Sequence, residues 1–542
     1  MAKDQNTIPH DTIVRVLSEK SRNLDEYPNS RTQHHFAKDL NTALQCGKWG
    51  SQRPSDLFLK IYHDALCPLM QDPMSGLVSP PLMGSSGVVP LTIIGTLPDI
   101  CHHLANCIVR AEKEIIFLTS YWIYSNNSQL LTNAMRELSK RTALRGTRVV
   151  MKMMYDRGNV KQVLNNRQPV SRNEALSERV RLPSPEEIPN IDLQVLNYHR
   201  PVVGTLHSKV MIVDRKMALL MSNNIQDNDN LEMMVRFEGS IVDSFYDMAL
   251  ISWDISLQPP LPMIESPASL EEPPSFANNI QVNESNEAYN TVELPQKGDN
   301  ASDSGHFPGN IAYDIDIASE TERVKIRLTP VLGETRRDCV SRHLNVPAIP
   351  SAIGDAPEWE ADDHMLPYFL HPHHQPFPMA MVNREPWGAL NHSSIYTPQN
   401  TAFLAAIESA EYSIFIQTPD LNAEPLLKPL IDAVRRGVVV TCYLCLGYND
   451  AGQLLPFQNG TNEMICNRLY NSLSCDEEKV RLRIYNYVAK DQTKPIHNSF
   501  KKRSCHIKLM IIDEKVAIQG TFNTIPTIPQ TYNFDLTRAK YL

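Results

Sequence analysis

The chain has 542 residues, of which 42% are hydrophobic, and a formal charge of −9. That length suffices for two or more domains with their own cores, and the acidic balance argues against a generally basic nucleic-acid binder. No window has the apolar length to span a bilayer, and the N-terminus lacks the apolar core of a secretory signal. The ten cysteines are scattered as reduced thiols would be. The expectation is an intracellular protein, cytoplasmic or peripheral to a membrane.

In chain order, residues 1–86 read as an N-terminal extension with a helical start, "HDTIVRVLSEKSRNL", and no chemical motif. Residues 87–257 read as a first α/β lobe, with strands "AEKEIIFLTSYWI", "TRVVMKMMYD" and "IDLQVLNYH" and, between the first two, a helix ending in Arg-Gly. Residues 258–305, rich in Pro, Ser, Asn and Glu, predict a disordered or loose linker. Residues 306–378 predict an irregular connecting segment in which "ERVKIRLTPVLG" resembles a strand. Residues 379–542 form the second lobe. Within it Cys442 and Cys445 make a C-x-x-C inside an apolar run, with no second pair to complete a zinc site, so they read as core. His371, His373 and His374 sit in a proline-rich stretch and read as loop residues.

The chain contains itself twice. "LHSKVMIVDRKMALLMSNN" at Leu206 matches "CHIKLMIIDEKVAIQGTFN" at Cys505, with His207, Lys209, Asp214 and Asn224 in the register of His506, Lys508, Asp513 and Asn523. The offset is 506 − 207 = 299, and the strands beginning at Ala111 and Ala410 have the same offset, 410 − 111 = 299. Each half reads strand, helix, strand, strand, motif strand.

Residues two apart on a strand share a face, so each histidine points with its lysine. If the lobes pack about a pseudo-twofold axis, two imidazoles, two lysines and two asparagine amides surround one volume. That set suits a phosphodiester. Lysines and amides neutralise nonbridging oxygens as charge builds, one imidazole attacks phosphorus, and the other protonates the leaving oxygen. Glu232, in "NLEMMVRFEG", is placed to orient His207 from the next strand. Asp214 and Asp513 fall on the opposite face by their odd spacing and are expected to fix local structure.

The doubled H-x-K-x4-D-x6-G-S-x-N pattern resembles the phospholipase D superfamily, over most of the chain outside the N-terminal extension and the linker. The resemblance implies two α/β lobes with mixed β-sheets, related by pseudo-twofold symmetry, with the catalytic cleft between them. It also implies a metal-independent, cofactor-free phosphohistidine mechanism with His207, Lys209, Asp214, His506, Lys508 and Asp513 as the catalytic motif residues. His207 would be nucleophile and His506 general acid, exchange of the two roles being left open. Lys209, Lys508, Asn224 and Asn523 would hold phosphate, assisted by Ser222 and Thr521. The family's reactions run from phospholipid hydrolysis and head-group exchange to cardiolipin synthesis and, in some branches, nucleic-acid cleavage.

Two departures stand out. Met221 replaces the first motif's glycine, which predicts a narrower phosphate site. After Asn523 come Pro526 and Pro529, and Asp535 stands where a counterpart of Glu232 is expected, which predicts an incomplete second lobe. A phospholipid substrate with peripheral membrane contact leads, supported by the basic run Lys501, Lys502 and Arg503. An impaired phosphodiester-binding protein is the alternative, and a nuclease the third reading.

Overall fold

The computed structural model describes residues 40–70, 72–73, 75–157, 166–200, 204–268, 275–276, 312–344, 365–384, 396–448, 450, 454, 459–489, 503–520 and 531–535. Two mixed sheets form the frame. The first runs, in spatial order, Tyr368–Leu370, Gly84–Thr96, Leu231–Glu238, Met217–Met221, Val210–Val213, Glu114–Leu118, Val149–Tyr155, Ile191–Arg200 and Arg167–Pro169. The second runs Phe377–Val382, Thr531–Asp535, Val516–Gly520, Leu509–Ile512, Ser413–Gln417, Val439–Leu444 and Leu482–Asn486. Apart from the added edge strands the order is the same, and so is the register. Ile115 faces Val213 in one sheet and Ile414 faces Ile512 in the other. The two parallel pairs of each sheet require crossovers, which the helices Asn126–Arg145 and Glu424–Arg435 begin to supply.

One strand joins the lobes. Gly84 to Gly87 pair with Phe377–Val382 of the second sheet, and after an irregularity between Val88 and Leu91 the same strand pairs with Leu231–Glu238 of the first. Gly87 sits at this crossing, where a Cβ would come within 2.6 Å of both the Glu238 carbonyl and Ile241. Only glycine permits that approach.

Both faces of the first sheet are covered. Ile115, Phe117, Met151 and Met153 pack on one side with helices Leu97–Arg110 and Asn126–Arg145, while Ile116, Val150 and Ile212 share a cluster with helix Ile241–Trp253. The second sheet is covered on one side by helices Pro398–Ser409 and Glu424–Arg435. Its other face stays partly open, with Tyr443 40% and Tyr485 48% exposed and their rings stacked at 5.3 Å.

Two expectations are corrected. "ERVKIRLTPVLG" is not a strand, because Ile317–Arg327 is a helix. Asp316 and Ser319 form a capping box, and Ile317, Glu320, Thr321 and Val324 recur at helical spacing on the buried side. Arg110 and His103 then fasten this helix to Leu97–Arg110 through Glu320, the histidine at 2.5 Å. The prolines near Phe377 likewise mislead, since Tyr368–Leu370 is an edge strand of the first sheet and Phe377–Val382 is a strand paired with both Gly84–Gly87 and Thr531–Asp535.

Candidate active site

Each motif ends in a tight hairpin. Asp214 and Arg215 have φ of 51° and 53°, as do Asp513 and Glu514, the signature of a type I′ turn. Such angles disfavour most side chains, and the aspartates offset that strain with hydrogen bonds. Asp214 accepts the N–H groups of Glu112, Lys113 and Glu114 at 2.7–2.9 Å. Asp513 accepts those of Glu411, Tyr412 and Ser413 at 2.8–2.9 Å. Both carboxylates therefore bind the start of the neighbouring strand rather than the cleft. Asp214→Asn replaces one acceptor oxygen with a donor, so it is expected to lower stability by about 1–3 kcal/mol in urea unfolding. Loss of turnover at unchanged stability would return Asp214 to the cleft.

The histidines and lysines occupy the extended segments just before strands Val210–Val213 and Leu509–Ile512, not the strands themselves. Backbone pairing across the lobes sets the second segment, as the Leu231 N–H donates to the Ser504 carbonyl and the His506 N–H to the Leu231 carbonyl, both at 2.8 Å. The lysines fold back identically. Lys209 Nζ donates to the His207 carbonyl at 2.9 Å, and Lys508 Nζ to the His506 carbonyl at 2.8 Å. An ammonium has three hydrogens, so two remain on each lysine for an anion.

Glu232 bonds His506, not His207, with Oε2 2.8 Å from Nδ1. The correction follows from the lobe packing. Glu232 is the second residue of the strand whose first, Leu231, pairs with Cys505, and its side chain reaches the other motif. Because a carboxylate only accepts, His506 Nδ1 carries the hydrogen and Nε2 is left for the cleft. Ser222 Oγ donates to Glu232 Oε2 at 2.5 Å and accepts the Met233 N–H at 2.9 Å. Its one proton is spent on the carboxylate, so Ser222 positions Glu232 and does not donate to phosphate.

Asn224 keeps a buried Oδ1 with no hydrogen-bond partner. Asn523 and Thr521 lie outside the described residues. Met221 is 2% exposed and packs into the first lobe's core, so it does not narrow the site. Asp535 is not the counterpart of Glu232. It pairs with Val516, as Glu238 pairs with Met217, at the far end of the strand. Thr531 faces Gly520 as Met234 faces Met221, and two residues earlier the sequence has Pro529 where the first lobe has Glu232. Of the basic run, Lys501 and Lys502 lie outside the described residues, and Arg503 is buried rather than displayed.

The electrostatics separate the two imidazoles. Burial pushes His207 well below the usual histidine range, and Lys209, Lys508 and His506 push it the same way. Burial and Lys508 also lower His506, but Glu232 opposes them. Glu232 itself is held ionised against burial by His506, Lys508 and Ser222. Burial brings Lys508 down to about 8 despite Glu232 and Asp420. Lys209 falls well below its normal range through burial and the nearby Lys508. These mutual influences place His207, Lys209, His506, Lys508 and Glu232 near one another.

Sequence reasoning missed Tyr448, whose ring stacks on His506 at a centroid distance of 5.6 Å and 18°. It also missed Asp156, which accepts from the Leu206 N–H at 2.7 Å and contacts His199 Nδ1 at 2.8 Å, fixing the approach to His207. The repeat carried a signal for both. The parallel strand of each lobe runs into "YD" or "YND".

Fold and site together define a duplicated α/β protein with paired H-x-K groups meeting between its lobes. Residues 403–528 match the family model described as "Cardiolipin synthase, PLD-like domain". Among solved structures the chain is similar to phosphatidylserine synthase from Haemophilus influenzae Rd KW20, at 10% identity over 84% of this chain and 85% of that one, with a TM-score of 0.42. It is similar to polyphosphate kinase from Porphyromonas gingivalis at 8% identity over 83% and 48% of the two chains, TM-score 0.37. Nuc from Salmonella typhimurium, a phospholipase D family member, aligns at 20% identity over 25% of this chain and 72% of its own, TM-score 0.17. No curated protein matches the chain significantly. Among the described residues no helix is long and apolar enough to cross a membrane.

Proposed function

We propose that the cleft cleaves a phosphodiester, that of a phospholipid, through a covalent phosphohistidine. A nitrogen of His207, kept neutral, attacks phosphorus. The leaving oxygen departs with its electron pair and takes the proton from His506 Nε2. His506, now neutral, then removes a proton from water or an acceptor alcohol, whose oxygen attacks phosphorus and releases His207. Lys209 and Lys508 neutralise the nonbridging oxygens, with Asn224 supplying a further amide. The observation that carries this reading is the asymmetry of the imidazoles. His207 sits among three basic groups and is held unprotonated, whereas His506 is backed by Glu232 and suited to give up and recover a proton.

The test uses phosphatidylcholine, phosphatidylglycerol and single-stranded DNA, each labelled at phosphorus, followed by an acid-free denaturing quench. Label bound to wild-type protein and missing from His207→Ala is the expected result with lipid. Label persisting in His207→Ala would reverse the histidine roles, and cleavage of DNA alone would overturn the lipid substrate. The binding-protein reading is favoured by one observation, Pro529 in place of a second Glu232, and complete absence of both label and product with every substrate would establish it.

A further inference from the structure

Each motif histidine follows a residue whose backbone is held by a side chain from another strand's end, and the two lobes use different chemistry for that hold. In the first lobe, strand Val149–Tyr155 runs into Asp156, whose Oδ2 accepts the Leu206 N–H at 2.7 Å. In the second, strand Val439–Leu444 runs into Cys445, whose Sγ accepts the Cys505 N–H and donates to the Cys505 carbonyl, both at 3.0 Å. Leu206 and Cys505 stand directly before His207 and His506.

Strand register makes Asp156 and Cys445 counterparts. Val150 pairs with Glu114 as Val439 pairs with Ser413, and 413 − 114 = 299 is the offset of the repeat. Asp156 follows Val150 at the same distance as Cys445 follows Val439. The backbone agrees, since the Asp156 N–H donates to the Ser120 carbonyl at 2.9 Å and the Cys445 N–H to the Pro419 carbonyl at 3.3 Å, with 419 − 120 = 299. Asp450 of "YND" is therefore not the second lobe's Asp156, although the sequence suggests it.

The hold matters because both histidine segments precede the strands Val210–Val213 and Leu509–Ile512 and lie outside the ladders those strands form. Leu206 and Cys505 are 1% and 3% exposed, and a buried N–H without an acceptor is costly. The carboxylate is kept against a penalty of its own. Burial raises the Asp156 pKa to about 6, although His199 Nδ1 at 2.8 Å and the Leu206 N–H pull it down. With a thiol at the same place in the other lobe, what the lobes share is the acceptor and not the charge.

We propose that Asp156 and Cys445 are positioning residues, each fixing the peptide before its histidine so that His207 and His506 meet phosphorus in line. The assignment rests on the phosphodiester reading of the cleft. His506 is also gripped by Glu232 at 2.8 Å and by its own N–H on the Leu231 carbonyl, so the loss of Cys445 is partly covered.

Turnover is compared in alanine variants and in variants that keep an acceptor. Asp156→Ala is expected to lower kcat by about 100-fold, the cost of misplacing a reacting group by about 1 Å, while KM changes far less because both lysines remain. Cys445→Ala should cost about tenfold, since Glu232 still holds His506. Asp156→Asn and Cys445→Ser each retain an acceptor for the N–H and should recover most of the loss. Asparagine or serine no better than alanine, or kcat per folded molecule unchanged in both alanine variants, overturns the assignment. Should an alanine variant not fold, Asp156→Ser, too short to reach Leu206, and Cys445→Val, which has no polar atom, are read in the same way. If wild type turns over no phosphodiester, the reading of the cleft fails separately, and positioning is read from the imidazole carbon–proton NMR signals, assigned by their absence in His207→Ala and His506→Ala. Asp156→Ala should then move the His207 signal alone and Cys445→Ala the His506 signal alone. Signals that stay in place in both variants overturn the assignment without any turnover.

Discussion

Glu232→Gln is expected to reduce kcat by about 10²- to 10⁴-fold, the range typical of a disabled general acid, and to move the alkaline limb of the pH profile to lower pH. The reasoning starts from the 2.8 Å contact between Glu232 Oε2 and His506 Nδ1. Burial and Lys508 favour neutral His506, and Glu232 is the group that resists them. Glutamine keeps the shape and an acceptor but removes the charge, so the protonated imidazole is lost sooner as pH rises. The limb set by that proton shifts down, and KM changes far less than kcat because the lysines are untouched. A role for Glu232 in folding alone would lower the amount of active protein without moving the limb. An unmoved limb with normal unfolding temperature would mean that His506 is not the acid.

The cleft was legible because the chemistry was written twice. A single H-x-K is an ordinary polar strand end, whereas two at one offset, each followed by an aspartate and an asparagine in the same register, fix the elements around them. What the repeat could not convey was which lobe serves which histidine. Glu232 lies in sequence beside the first motif, yet its strand begins against Cys505, and the bond it makes is to His506. Contacts between lobes leave no periodicity in either lobe. The same limit applies to Asp535, whose place in "NFD" suggests an orienting acid until the pairing with Val516 puts it at the wrong end.

Local signals failed where capping outweighed composition. "ERVKIRL" alternates enough to suggest a strand, but Asp316 and Ser319 start a helix just before it, and Glu320 finds His103 and Arg110 across more than two hundred residues. Met221 failed in the opposite direction. It replaces a motif glycine, yet its side chain turns into the first lobe's core with Leu219 and Met234, so the substitution alters packing and not access.

Lys508→Met should abolish turnover and raise stability at neutral pH, a pairing of effects that separates a functional charge from a structural one. Lys508 is 1% exposed, and its pKa falls to about 8 from the 10.5 of an unperturbed lysine. A difference of that size corresponds to ~3 kcal/mol spent on holding the charge in the folded state. The sign follows from proton counts. Between pH 8 and 10.5 the unfolded chain binds a proton that the folded chain releases, so wild-type stability rises with pH through that window, and the penalty is fully present below pH 8. Methionine has a similar volume and no charge, so urea unfolding at pH 7 should show a gain on the order of 1–3 kcal/mol, reduced from the full value by the lost bond to the His506 carbonyl. The pH-dependent rise should flatten in the variant. Two phosphate oxygens would then have one lysine where there were two, and product formation should fall below detection. A variant less stable at pH 7, with the wild-type slope retained, would show that Lys508 holds the fold together and is not poised there for an anion.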